Sequence, residues 1–335
     1  MRAKRILQLL KLEGIFMKRS SLHLCTLPLQ YLVYFVTMTS NPKHPLDDSF
    51  SHLSITYHPS QQHVTHVRLN RPLKRNAINA RMWREIGDAF RQLGTIGDGT
   101  RCILLSGSGK GFCGGIDISD SKFFAGISPE EEESSIDMAR KALAFKPQIL
   151  QMQQAFTAVE ECPVPVVAAI HGACIGAGID LVCCADVRIC SPNSVFSIRE
   201  ARLGLAADVG TLQRLPKVVG FSSLLRQLCF TGEDFSADDA LKIGFVSRIS
   251  SSENQLIEEA NKIISKIVAN SPVAVSVTKA SLNYSRDHTV REGLDHIATM
   301  NSSALMSEDL VKSFMISSGA GESAEFAPLR QHSRL

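Results

Sequence analysis

Two rhythms of apolar and polar positions run along this chain. From His63 the segment VTHVRLN alternates residue by residue and predicts a strand, and RPLKRNAINA after it reads as a turn. Met82, Ile86, Ala89, Phe90 and Leu93 then recur at helical spacing, which predicts an amphipathic helix ending near Gly94. CILLSG at 102–107 is a short, continuous apolar run, read as a buried strand, and it leads into the glycine-rich GSGKGFCGGID. Residues 120–160 read as helical, with the acidic stretch from Glu130 to Glu133 as a solvated face or loop. VPVVAAIHG (164–172) repeats the earlier device: an apolar strand, a glycine-rich turn (CIGAGID), then an apolar helix, LVCCA. DVRIC and SVFSI follow as short strands. Strand, glycine turn and helix thus occur twice, at 102–117 and 165–184, which predicts an α/β core with function carried on the turns. After about residue 250 the pattern is almost wholly helical, a tail expected to pack on a neighbour through Leu282, Val290, Leu294, Ile297 and Met300.

Composition narrows the function. The 335 residues are 44% apolar, enough for a sizeable core. A net charge of +3 leaves no basic footprint for nucleic acid, and 6% aromatics with a single tryptophan, Trp83, argue against a base-stacking platform. Nine cysteines without a CxxC pair read as reduced thiols of an intracellular protein, and ten histidines without HExxH or HxH predict no metal.

The ends differ from the middle. Arg2, Lys4, Arg5, Lys11, Lys18 and Arg19 face one acid, Glu13, in a basic amphipathic leader with the character of a mitochondrial presequence; an untranslated or disordered leader, with Met38 as the real start, is the other reading. The apolar run from Leu24 to Val36, broken by Pro28 and Gln30, is too short to cross a bilayer. Ser333-Arg334-Leu335 resembles a peroxisomal address and implies an import receptor as partner. The expected division is a leader over 1–49, a core over 50–255 and a helical region with targeting tail over 256–335.

Neither glycine turn is a dinucleotide or phosphate-binding loop, since GxGxxG and the closing Lys-Ser/Thr are missing. Backbone N–H groups converging from both could form an oxyanion hole; ordinary tight turns are the alternative. The stretch HGACIGAGIDLVCCADVRICSPNSVFSIREARLGLAADVGTLQRLPKVVG closely resembles the signature of the crotonase (enoyl-CoA hydratase/isomerase) superfamily. NRPLKRNAI (70–78), GKGFCGGIDI (109–118) and ADDALKIGFVSRI (237–249) match in the expected order, so the resemblance spans roughly residues 53–325. It implies a spiral of repeated β-β-α units, acyl-CoA thioester substrates, and a homotrimer or homohexamer built through the C-terminal helices. It implies oxyanion donors at the Ile116 and Ala177 N–H groups, where Ala177 replaces a residue commonly glycine. Gly114, Gly115, Asp117 and Ile118 would line the substrate, while Lys74 or Arg75 would lie near CoA phosphate and Ala77 near adenine.

Three acids decide the reaction. Asp180 could cap the LVCCA helix, Glu200 could pair with Arg199 or Arg202, and Asp208 could cap a following turn. Yet Asp208 sits in apolar LAADVG, company that raises a carboxyl pKa as proton-transfer groups require. Hydratases of the superfamily carry Glu at the positions of both Asp180 and Glu200. The Asp, Glu, Asp set here resembles the delta-3,5-delta-2,4-dienoyl-CoA isomerase branch. The resemblance implies that Glu200 works at C2, that Asp208, deeper in the pocket, works at C6, and that Asp180 tunes the pair, with no cofactor beyond the CoA of the substrate. An enoyl-CoA hydratase, a 3,2-enoyl-CoA isomerase and a non-catalytic acyl-CoA-binding scaffold remain the alternatives.

Overall fold

The short continuous apolar runs form strands, and the computed structural model, which describes residues 43–120, 137–318 and 325–329, arranges them in two sheets. The basic leader, the acidic stretch at 130–133 and Ser333-Arg334-Leu335 lie outside the described residues. In the larger sheet the spatial order is β1 (Leu53–Tyr57), β2 (Val64–Leu69), β3 (Cys102–Gly107), β4 (Val166–Ile170), β6 (Val187–Cys190) and β9 (Arg248–Ile249). Only β1 and β2 pair antiparallel; every later neighbour is parallel. The smaller sheet joins β5 (Ala173–Ile175), β7 (Val195–Ser197) and β8 (Asp234–Ser236).

Parallel strands need long crossovers, and helices supply them. Helix α1 (Ala80–Leu93) links β2 to β3, and α2 (Met138–Glu161) leads from the far side of β3 to β4. The chain then steps from β4 to β5 and α3 (Ala177–Cys183), and from β6 to β7 and a 3-10 turn at Glu200–Leu203. A bridge between Cys113 and Cys174 adds the segment after β3 to the edge of β5, so one large-sheet segment, one small-sheet segment and a helix recur. This is the β-β-α spiral expected from the sequence. Helices α4 (Thr211–Val218), α5 (Ser222–Thr231) and α6 (Ala237–Lys242) precede β9, and α7 (Leu256–Val268), α8 (Pro272–Ser285), α9 (Val290–Ala304) and α10 (Glu308–Ser317) follow it.

Local signals hold these elements. The Asn79 side chain accepts the Met82 N–H at the start of α1, Gly94 ends it, and all five residues of the predicted apolar stripe are buried. Burying side chains of that size stabilises the fold by about 1.5–3 kcal/mol each. Strand β2 departs from the expected alternation, because five of its six residues are buried. The reason lies far away in sequence: α7 lays Leu256, Ala260 and Ile264 on the second face of the sheet, against Val64, Leu104 and Val167.

That contact also moves a predicted boundary. Residue 256 opens a helix of the core, not a separate region. The leader boundary at 49 moves as well, since Leu46 joins the core and buried His44 sets Nε2 3.0 Å from Asp98 Oδ2. Helices α8 to α10 expose Leu282, Val290, Leu294 and Phe314, the turn between α9 and α10 exposes Met306, and Ile297 and Met300 are half-buried. The eight described cysteines are free, and seven are buried. Among the described residues no helix is long and apolar enough to cross a membrane.

Candidate active site

The glycine-rich turns after β3 and β5 meet. Gly115 (φ 94°) and Gly176 (φ 51°, ψ −117°) take backbone conformations that side chains resist. A methyl group on Gly176 would lie 3.1 Å from Glu200 Oε1 and 4.0 Å from Gly115 Cα, so both turns and one acid crowd a single point. Ile78 donates its N–H to Gly115 O and accepts from Asp117 N–H, a bridge that uses the groups flanking Ile116. The N–H of Ile116 stays outside that ladder. Ala177 opens α3, where first-turn N–H groups have no acceptor within the helix. Because Ala177 is helical and the unusual conformation falls on Gly176, alanine fits without strain. Two such N–H groups can stabilise charge on a carbonyl oxygen.

The three acids line one cavity of about 600 Å³ together with Ile116. Asp180 lies inside α3, whose N-cap is Gly176, so it does not cap the LVCCA helix. Instead its Oδ1 accepts the N–H of Thr211, the first residue of α4, at 2.6 Å. Its Oδ2 is buried with no hydrogen-bond partner among the described residues. Burial pushes the Asp180 carboxyl up to about 7, the charges of Glu200 and Asp208 adding to the effect and the Thr211 contacts opposing it.

Glu200 opens the 3-10 turn and is buried, with Oε2 also unpartnered among the described residues. Burial, and then the charge of Asp208, raise its pKa above the ordinary glutamate value. Neither neighbouring arginine pairs with it. Arg199 bonds Asp234, and Arg202 donates to the Thr231 carbonyl. Asp208 does not cap the helix that follows, since the N-cap of α4 is Gly210 and no side chain caps it. Nor is it deep: its residue is exposed, as are Leu205 and Ala206 before it, which line the cavity with it. Partial desolvation still raises its pKa. Gln153 of α2 donates to the Asp208 carbonyl at 2.6 Å.

A second wall comes from α1 and α2, apolar at Trp83, Phe145, Met152 and Ala155 and polar at Arg84, Asp88, Arg91, Gln148 and Gln151. Trp83 stacks on Phe156 at 4.5 Å and donates its indole N–H to Met152 O at 2.8 Å, joining the two helices. The remaining predicted residues divide. Lys74 and Arg75 are exposed beside the first turn, Lys74 Nζ lying 3.4 Å from Ser119 Oγ. Ala77 is half-buried, with its carbonyl bonded by Arg71. Gly114 donates its N–H to Arg75 O, which ties the CoA-side segment to the first turn. Asp117 is turned away into a pair with Arg71 at 2.9 Å; hydrogen bonds from Ser119, followed by that arginine, hold its carboxyl at about 2 despite partial desolvation. Ile118 is exposed.

Residue-by-residue reading of the sequence missed three supports of the site. Thr211 holds Asp180. Arg71 joins Asp117 to Ala77. Asn76 is buried, accepts Arg71 N–H at 2.8 Å, and turns Nδ2 toward the carbonyls of Ser108, Gly111 and Phe112 at 2.8, 2.9 and 3.1 Å. An asparagine inside NRPLKRNAI is the available signal, and it takes a positive φ (54°) in the fold, but the three carbonyls it binds lie more than thirty residues on.

Comparison with known proteins agrees with this geometry. Residues 59–317 match the enoyl-CoA hydratase/isomerase family. The chain is 44% identical over 272 residues to the mitochondrial Delta(3,5)-Delta(2,4)-dienoyl-CoA isomerase of Mus musculus, covering 81% of each chain. It is 40% identical over 263 residues to the peroxisomal Delta(3,5)-Delta(2,4)-dienoyl-CoA isomerase of Arabidopsis thaliana, covering 78% of this chain and 92% of that one. Among solved structures, a putative enoyl-CoA hydratase from Streptomyces coelicolor A3(2) superposes with a TM-score of 0.71 at 27% identity, covering 86% of this chain and 97% of that one.

Proposed function

The chain belongs to the enoyl-CoA hydratase/isomerase family, and on that premise we propose that it isomerises 3,5-dienoyl-CoA to 2,4-dienoyl-CoA, a step in the β-oxidation of unsaturated fatty acids. The observation that carries this reading is the third carboxylate: Asp208 lines the same cavity as Asp180 and Glu200. Moving the diene requires a proton to leave C2 and another to arrive at C6, four bonds away, and two separate carboxyl groups suit that distance.

Ionised Glu200 would break the C2–H bond and take the proton. The electron pair would pass to the thioester oxygen, held by the N–H groups of Ile116 and Ala177. As the dienolate collapses, protonated Asp208 would form the C6–H bond, and Asp180 would tune the pair from its buried position. One carboxyl must start protonated and the other ionised, and desolvation, which raises the pKa of both groups, favours the protonated form that the acid needs. The step balances without oxidant or metal, and CoA enters as part of the substrate. Lys74 or Arg75 would meet CoA phosphate and Ala77 the adenine, in keeping with the exposed charges beside the first turn.

The test is incubation with a 3,5-dienoyl-CoA while following the ultraviolet absorbance of the conjugated 2,4-dienoyl thioester. Hydration of crotonyl-CoA at a comparable rate would instead favour the hydratase reading. For compartment, the mouse and plant relatives carry different names, mitochondrial and peroxisomal. For this chain we favour the peroxisome, through Ser333-Arg334-Leu335 and an import receptor, with the basic leader as a competing mitochondrial signal. A reporter ending in those three residues that stays cytosolic would remove that assignment. A homotrimer or homohexamer is supported by the apolar surface of α8 to α10.

A further inference from the structure

Asp180 has one fixed oxygen and one free oxygen. The fixed one, Oδ1, takes the Thr211 N–H at 2.6 Å, a donor at the first position of α4 where no intrahelical acceptor competes. The free one, Oδ2, is buried and unpartnered among the described residues. Thr211 is itself fully buried, and its hydroxyl forms no hydrogen bond among the described residues. A buried hydroxyl left without a partner is costly, so its presence beside a carboxyl group asks for a reason.

We propose that Thr211 is a positioning residue for Asp180: its N–H pins Oδ1, and its hydroxyl is a reserve donor that turns to the carboxylate when Asp180 loses its proton. The N–H contact holds the carboxyl group in place in both protonation states, and the hydroxyl adds its contact in the ionised one. This inference deepens the isomerase reading, because it names the group that sets the proton affinity of the tuning acid.

The surroundings make such a donor necessary. Glu200 and Asp208 face Asp180 from the 3-10 turn and the loop after it, and both carry negative charge when ionised. The thiol of Cys113 approaches from the first turn, that of Cys174 from β5, and those of Cys183 and Cys184 from the end of α3. On α4, the guanidinium of Arg214 is occupied by Glu160 and Thr157 of α2. Against this background Thr211 is the group that favours the ionised form: its N–H already binds Oδ1, and its hydroxyl lies near enough to the carboxyl to draw the Asp180 pKa down, against burial and the two acids.

The test uses the full-length protein and infrared spectroscopy. The protonated carboxyl C=O band of Asp180, assigned by difference against Asp180→Asn, is titrated in the wild type, in Thr211→Val and in Thr211→Ser. Valine keeps the shape and the N–H but removes the hydroxyl; serine keeps the hydroxyl. The Asp180 midpoint should rise by about one pH unit in Thr211→Val, the scale of one hydrogen bond to a charged group. It should return to within a few tenths of wild type in Thr211→Ser. If valine prevents folding, Thr211→Ala against Thr211→Ser makes the same comparison. An unchanged midpoint in the hydroxyl-free variant, or serine failing to restore it, overturns the proposal. Because the titration needs no substrate, a chain that left 3,5-dienoyl-CoA unreacted would overturn the isomerase reading while this result stayed readable.

Discussion

Asp180→Asn should cost the protein its chemistry and make its fold more stable above neutral pH. In the unfolded chain the Asp180 carboxyl has its ordinary value of 3.8, and in the fold burial raises it to about 7. The folded state therefore holds the proton more tightly. The native state suffers no penalty below the unfolded value, where both forms are protonated; stability falls as pH rises through the window from 3.8 to about 7 and levels off above it. At 1.36 kcal/mol per pH unit the full penalty is about 4 kcal/mol, of which roughly 2–3 kcal/mol accrues between about pH 5 and pH 8. Asparagine has no such titration, and its side-chain oxygen can still accept the Thr211 N–H. Denaturant unfolding of wild type and variant at the two pH values measures the effect, since histidines and carboxyls remote from the cavity titrate alike in both proteins. The variant should gain on the wild type by about 2–3 kcal/mol as pH is raised across that range. A stability difference that stays constant between the two pH values would refute the reasoning, and with it the idea that Asp180 holds its proton near neutrality.

Asp208→Asn should retain acyl-CoA binding and lose roughly two to four decades of isomerisation rate, the scale of one general acid or base. Glu200→Gln should fall similarly and also stop exchange of the C2 proton with deuterated water, which Asp208→Asn should leave more nearly intact; wild-type turnover in Asp208→Asn would end the dienoyl assignment. Asn76→Ala deserts the Arg71 N–H and three backbone carbonyls in a buried setting, so thermal melting should show a loss of several kcal/mol, about 1–3 for each polar group left without water. An unchanged melting temperature would show that the first turn does not depend on it. Sedimentation at micromolar concentration should find an oligomer, because Leu282, Val290 and Leu294 are 67%, 80% and 64% exposed in the single chain, and a stable monomer would contradict this.

Much of the fold was legible because its signals are local. β3, β4, β6 and β7 form on the apolar runs that announced them, and α1 starts at an asparagine cap and stops at a glycine as its spacing required. The glycine turns were legible for the same reason: a strand that ends in glycine beside a helix start exposes backbone donors whatever surrounds it. The three acids could be singled out from their apolar company and the resemblance, and the structure brings all three to one cavity.

Tertiary structure alone decided what each of those groups experiences. Thr211 stands 31 residues from Asp180, and no periodicity announces that the N–H of one helix will bind the carboxylate of another. The resemblance placed Asp208 deep in the pocket, yet in the fold Ala207 and Val209 on either side are buried while Asp208 itself is exposed. β2 looked half-solvated until a helix from residue 256 onward covered its second face, and residues 43–49 looked like leader until His44 met Asp98. Local pattern records what a segment can form. Depth, charge neighbours and hydrogen-bond partners depend on contacts between segments far apart in the chain, and these exist only once the chain has closed on itself.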